Sequence, residues 1–141
     1  MFSDNSGMRC RVALILVASL VGSSSFARVP KSSSRSVDPA YSAALAAANR
    51  FLHAWQVQDH ETGIMMLTDA ARQQTSPDLL QSFFSPGPQA AYEIEHGKRI
   101  GRDEYAFPIV LFGVSASAPP HFCRIVVARL AKDDWVVEKL P

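Results

Sequence analysis

Apolar positions recur along this chain with two different spacings, and the point where one gives way to the other divides it. From Pro39 to Val57, Tyr41, Leu45, Ala48, Leu52 and Trp55 fall at steps of four and three, which is one stripe of a helix. Asp38 is placed to cap that helix and Pro39 to occupy its first turn. Ala43, Ala44, Ala46 and Ala47 favour the helix and let a neighbour approach closely. Asn49, Arg50, His53 and Gln56 lie off the stripe, toward solvent. Asp59 starts a second helix, expected to run to about Gln73 with Ile64, Leu67 and Ala71 inward. Gly63 weakens it by about 1 kcal/mol relative to alanine, and Met65 and Met66 read as core filler. Ser76-Pro77-Asp78 opens a short third helix carrying Leu79, Leu80, Phe83 and Phe84. Ser85-Pro86-Gly87-Pro88 stops it, because neither proline can continue the backbone ladder.

From Ala90 the period becomes two. Tyr92, Ile94 and His96 alternate with Glu93 and Glu95, a strand with one wet face. Gly97 to Arg102 is expected to turn the chain. Tyr105 to Val114 is apolar on both faces, so it needs helices over one and a sheet, ligand or second subunit over the other. Pro108 has no N–H for a ladder, which calls for a bulge or an edge there. Ser115 to Pro120 is a loop, and His121 to Leu130 is a second strongly apolar strand. Ala131 to Asp134 makes a tight turn, and Trp135 to Leu140 closes a hairpin. Helices first and an antiparallel sheet afterwards make an α+β domain.

Residues 1–27 read differently. Met8-Arg9-Cys10-Arg11, an apolar run from Val12 to Val21 and the small-residue ending Ser25-Phe26-Ala27 are the parts of a secretory signal peptide. The run is shorter than the roughly 20 residues that span a bilayer. Met8 is an alternative start, because the leader reads better without the residues before it. Lipidation needs a cysteine just after the apolar run, and Cys10 precedes it. Residues 28–37, with Pro30, four serines and three basic residues, form a flexible linker. The expectation is therefore a signal peptide (1–27), a linker (28–37) and one domain (38–141), secreted or periplasmic, with no membrane span after cleavage.

Without residues 1–27, twelve basic and twelve acidic residues remain. A nucleic-acid binder carries a basic excess or stripe, and here Lys98, Arg99 and Arg102 are followed at once by Asp103 and Glu104. No nucleic-acid partner is expected. Cys123 is then the one remaining cysteine, so no intrachain disulfide can form and the thiol reads as buried and inert. There is no His-Glu-x-x-His, no cysteine pair, no calcium-loop spacing and no glycine-rich phosphate loop. The expectation is no metal and no cofactor.

The element order resembles the nuclear transport factor 2-like superfamily (SnoaL-like and ketosteroid isomerase-like proteins), in which helices pack into a curved antiparallel sheet shaped like a cone. Phe51-Leu52-His53-Ala54-Trp55-Gln56-Val57-Gln58-Asp59 is similar to its first helix and the turn that ends it, and Ile64 to Leu67 to its second helix. Arg124 to Leu130, Asp133-Asp134 and Trp135-Val136-Val137 resemble its last hairpin, where a tryptophan commonly opens the final strand. The alternative is another helix-plus-sheet sandwich, such as a cystatin-like arrangement. The resemblance implies a pocket at the mouth of the cone and frequent dimerisation through the sheet. Its members include enzymes and non-catalytic binding domains, so the fold gives no function by itself.

Isomerase-type members set an acid–base pair into an apolar cone, one carboxylic acid being held neutral by a raised pKa. Tyr105 to Val114 and His121 to Leu130 contain no Asp or Glu at all. His96 and His121, at strand ends, are the remaining candidates for proton transfer. Trp55, Tyr92, Tyr105, Phe107 and His121 are the residues expected to shape a pocket. The expected role is non-catalytic: binding a small apolar ligand or an envelope protein, as a homodimer. The alternative is an isomerase, cyclase or dehydratase acting on a small apolar carbonyl compound, with His96 or His121 as base and Tyr92 or Tyr105 as donor.

Overall fold

A computed structural model describes residues 36–141. The expected signal peptide and residues 28–35 of the linker lie outside the described residues. The chain forms α1 (Pro39–Gln56), α2 (His60–Met65), α3 (Asp69–Gln74) and α4 (Pro77–Phe83). Five strands follow: β1 (Ala91–Ile94), β2 (Lys98–Gly101), β3 (Glu104–Phe112), β4 (His121–Ala131) and β5 (Asp134–Lys139). The sheet is antiparallel, in the order β1-β3-β4-β5, with β2 pairing to β3 beyond the end of β1. The domain is thus α+β, helices first and an open sheet after. Among the described residues no helix is long and apolar enough to cross a membrane.

The capping residues act as their chemistry dictates. Asp38 Oδ1 accepts from the Ala40 amide at 3.0 Å, and Pro39 sits in the first turn of α1. At the other end, the Asp59 amide donates to the Ala54 carbonyl and the Gln58 amide to the Trp55 carbonyl, with Gln58 at φ 59°. That pair of bonds is a Schellman ending, in which a non-glycine residue occupies the left-handed position. The Gln58 side chain helps hold it there by donating to the Pro86 carbonyl at 2.8 Å.

Three expectations are corrected. The second helix is two helices: Leu67 forms a parallel bridge with Val137, with Thr68 N donating to Val137 O and Val137 N to Met66 O. The free edge of β5 thereby offers the backbone a partner in place of the helix. Thr68 then caps α3 through Oγ1 and the Ala71 amide. Lys98 to Gly101 is a strand and not simply a turn, because β3 extends past the end of β1 and presents an unpaired ladder. Met65 and Leu79 are exposed, at 69% and 62%. Both sit on short helices, whose single buried faces are filled by Gly63 and Leu80.

On β3, Tyr105, Phe107, Ile109 and Leu111 face the helices and are buried; Ile125 and Val127 of β4 and Val137 of β5 continue the layer. α1 lies on it through Ala44, Ala47, Ala48, Phe51, Leu52 and Trp55. The alanines are at the centre of that contact, so Tyr41 and Leu45 are only half-buried at its flank. Pro108 pairs with Arg124 without a bulge. Its carbonyl accepts from the Glu95 amide at 2.9 Å, but proline has no N–H to return the bond, and the β1 ladder stops there. Gly97 lies in the irregular link from β1 to β2, where an added Cβ would stand 2.3 Å from the Phe107 ring.

Candidate functional site

The interior between the helices and the sheet is filled with rings. Phe51 and Phe84 meet edge-on at 5.5 Å, Phe83 and Phe84 at 5.1 Å, and Trp55 approaches Phe83 at 6.3 Å. Gly63 permits this closure, since a Cβ on it would stand 2.1 Å from the Phe84 ring. Among the described residues no polar or charged residue is buried, and no buried side-chain nitrogen or oxygen lacks a hydrogen bond.

The residues expected to shape a pocket are distributed across the domain. Trp55, Tyr105 and Phe107 belong to the packed core. Tyr92 is half-buried beside α1, and His121 is exposed at the start of β4, paired with Leu111. His96 is exposed just beyond β1, its Nδ1 3.3 Å from the Tyr41 hydroxyl. Tyr105 donates to Asp38 Oδ2 at 2.7 Å, and Tyr92 to Asn49 Oδ1 at 2.8 Å. Both phenols are therefore engaged with groups other than the two histidines. Burial pushes the Tyr92 and Tyr105 hydroxyls above their usual pKa, and for Tyr105 the bond to Asp38 adds to the rise. That same bond, followed by the Ala40 amide, holds the Asp38 carboxyl below its usual value. Cys123 is half-buried, and burial raises its thiol above the usual pKa, which favours the protonated form. Among the described residues no three His, Cys, Asp or Glu side chains cluster as a metal site.

One concavity combines an apolar lining with a free strand edge. It lies between α1 and β1, has a volume of about 550 Å³, and is lined chiefly by Val37, Tyr41, Leu45, Tyr92 and Ile94, with Asn49 at one end. Tyr41 is fixed there: its hydroxyl accepts from the Gly97 amide at 3.2 Å and its ring lies 5.6 Å from Phe107. Tyr92 and Ile94 reach the groove because alternation along β1 puts them on the helix side and Glu93 on the other. A second hollow of about 520 Å³ lies between α1, α2 and β5, where Arg50, His53, Asp59 and Asp134 mix both charges with Met65 and Trp135. Of the two, the first has the chemistry to take an apolar guest. Sequence reading named Tyr92 but missed Tyr41 and Leu45 as partners across the groove. The signal for them was their place on the flank of a stripe whose centre is alanine.

No protein-family model and no curated protein matches the chain. Among solved structures it is similar to a ketosteroid isomerase-like protein from Erwinia carotovora atroseptica. That likeness has a TM-score of 0.51 at 16% identity and covers 72% of this chain and 93% of the other. Similarity at this level concerns the fold, which is the nuclear transport factor 2-like one.

Proposed function

We propose that the domain is a non-catalytic binding module, and that the groove between α1 and β1 takes its apolar ligand. The observation that carries this reading is a contrast. The interior where the fold's pocket is expected is closed by the rings of Phe51, Phe83 and Phe84, while the groove beside it is open and lined by apolar side chains. An enzyme of the isomerase type would need a base and a donor converging on one cavity. His96 faces Tyr41 instead, and both candidate donors bind elsewhere. The leader-like residues 1–27 support action outside the cytoplasm.

A solvatochromic apolar dye such as Nile red tests the groove. The expected result is saturable binding with blue-shifted emission, weakened about tenfold or more by Leu45→Arg and unchanged by Met65→Arg on the far side of α1. Equal binding by all three proteins overturns the reading.

The outer face of the sheet is a second surface in this reading, with another copy of the chain as its occupant. Phe122, 75% exposed, stands on the same face as the small residues Ala106 and Ala128. Glu104 and Arg124 also share that face, four register positions apart along β3 and β4. A two-fold contact needs one surface that complements itself; an exposed ring with one acidic and one basic residue on the same face supports this reading.

A further inference from the structure

Resting on the groove reading above, we infer that the site is built for an extended polypeptide strand, apolar at alternate positions and basic at the others, which adds to the free edge of β1. Its partner class follows from three observations that meet at this edge.

The first is backbone direction. β1 is bonded to β3 alone, so its other side is a sheet edge. The Glu95 amide bonds to Pro108, and the antiparallel register carries that pattern to Glu93 opposite Val110 and Ala91 opposite Phe112. Because bonded pairs alternate along an antiparallel ladder, Tyr92 and Ile94 turn their N–H and C=O groups outward. The second is side-chain direction. The same two residues send their side chains into the groove, so a strand laid along the edge places every second side chain between them and Tyr41 and Leu45. Backbone bonds then hold the guest while the groove selects its apolar positions.

The third is charge. Glu93 and Glu95 are exposed and stand on the opposite face from Tyr92 and Ile94; neither enters an ion pair among the described residues. The outward residues of an added strand lie beside them. Lysine or arginine there makes favourable cross-strand pairs, whereas like charges opposite one another destabilise a ladder. A second copy of β1 would bring its own Glu93 and Glu95 to that position. The edge therefore rejects itself and admits a basic guest, in line with charged edges elsewhere that block uncontrolled pairing.

The test uses the full chain and an acetylated, amidated heptapeptide alternating valine with lysine. The expected result is saturable binding, with the Tyr92 and Ile94 amides shifted in NMR spectra and slowed in hydrogen exchange. The double variant Glu93→Lys, Glu95→Lys is expected to bind this peptide about tenfold more weakly and to gain affinity for a peptide alternating valine with glutamate. N-methylation of a peptide amide that faces β1 abolishes binding if the backbone is read. Nile red separates the two claims. Dye bound in the groove with no peptide binding overturns strand addition and leaves the groove reading standing; failure of both probes overturns both. Peptide binding that ignores the charge swap or the N-methyl group also overturns strand addition.

Discussion

Tyr105 and Asp38 join the sheet to the start of α1 through one hydrogen bond of 2.7 Å. The carboxyl's folded pKa is below its ordinary 3.8, so its contribution to stability is present above that value and disappears as pH falls through the lowered one. The phenol's folded pKa is above its ordinary 10.0, first through burial and then through Asp38, so its contribution is present below that value and is lost as pH rises through the raised one. Tyr105→Phe should lower the melting temperature by a few degrees. The gap to wild type should stay constant between about pH 5 and 9 and close at both extremes. A gap that persists in acid, followed by circular dichroism, would place the effect in packing instead.

Short elements here are decided by what they touch. α2 contains Gly63, where alanine is the better helix former by about 1 kcal/mol, yet the methyl group would meet the Phe84 ring at 2.1 Å. Overpacking of this kind costs about 1–3 kcal/mol, so urea denaturation of Gly63→Ala should show a net loss of up to about 2 kcal/mol. Adding Phe84→Leu should recover part of the loss that Phe84→Leu alone does not explain. The same dependence on neighbours set the limit of sequence reading. α1 was legible from its stripe, and the hairpin of β4 and β5 from its apolar runs and the tight turn before Trp135. β2 was not, because Lys-Arg-Ile-Gly has no alternation and owes its strand to the open ladder of β3. The break between α2 and α3 was signalled by Thr68-Asp69, a cap followed by an acidic first-turn residue, inside a pattern that otherwise ran on as one helix.

Over the whole domain, the helix-side face of the sheet is packed by helices, while its outer face carries the exposed ring of Phe122 beside the buried Ala106, Val110 and Val136. If a second copy occupies the outer face, sedimentation should show a dimer that Phe122→Asp converts to monomer without loss of folded structure. A monomer at all concentrations would remove that contact from the reading. The site was less legible than the fold for a reason of distance. Tyr92 and Ile94 stood out by alternation, but their partners Tyr41 and Leu45 lie some fifty residues earlier, and spacing along one helix does not say which flank stays open. Trp55, Tyr105 and Phe107 attracted attention as large rings, and large rings fill cores as readily as pockets.

Pro108 has a consequence for time as well as for shape. By ending the ladder after Ile94 it leaves only two residues of β1 with outward backbone groups, which is room for about four hydrogen bonds to a guest. At about 0.5–1.5 kcal/mol net for each bond, less the cost of ordering the incoming chain, such an edge holds its guest weakly. Weak holding at ordinary association rates means rapid exchange. The domain would therefore sample short strands and release them, with dwell times lengthened only by what the groove adds. An amide hydrogen restored at position 108 would let the ladder run on and turn a brief visit into a longer stay.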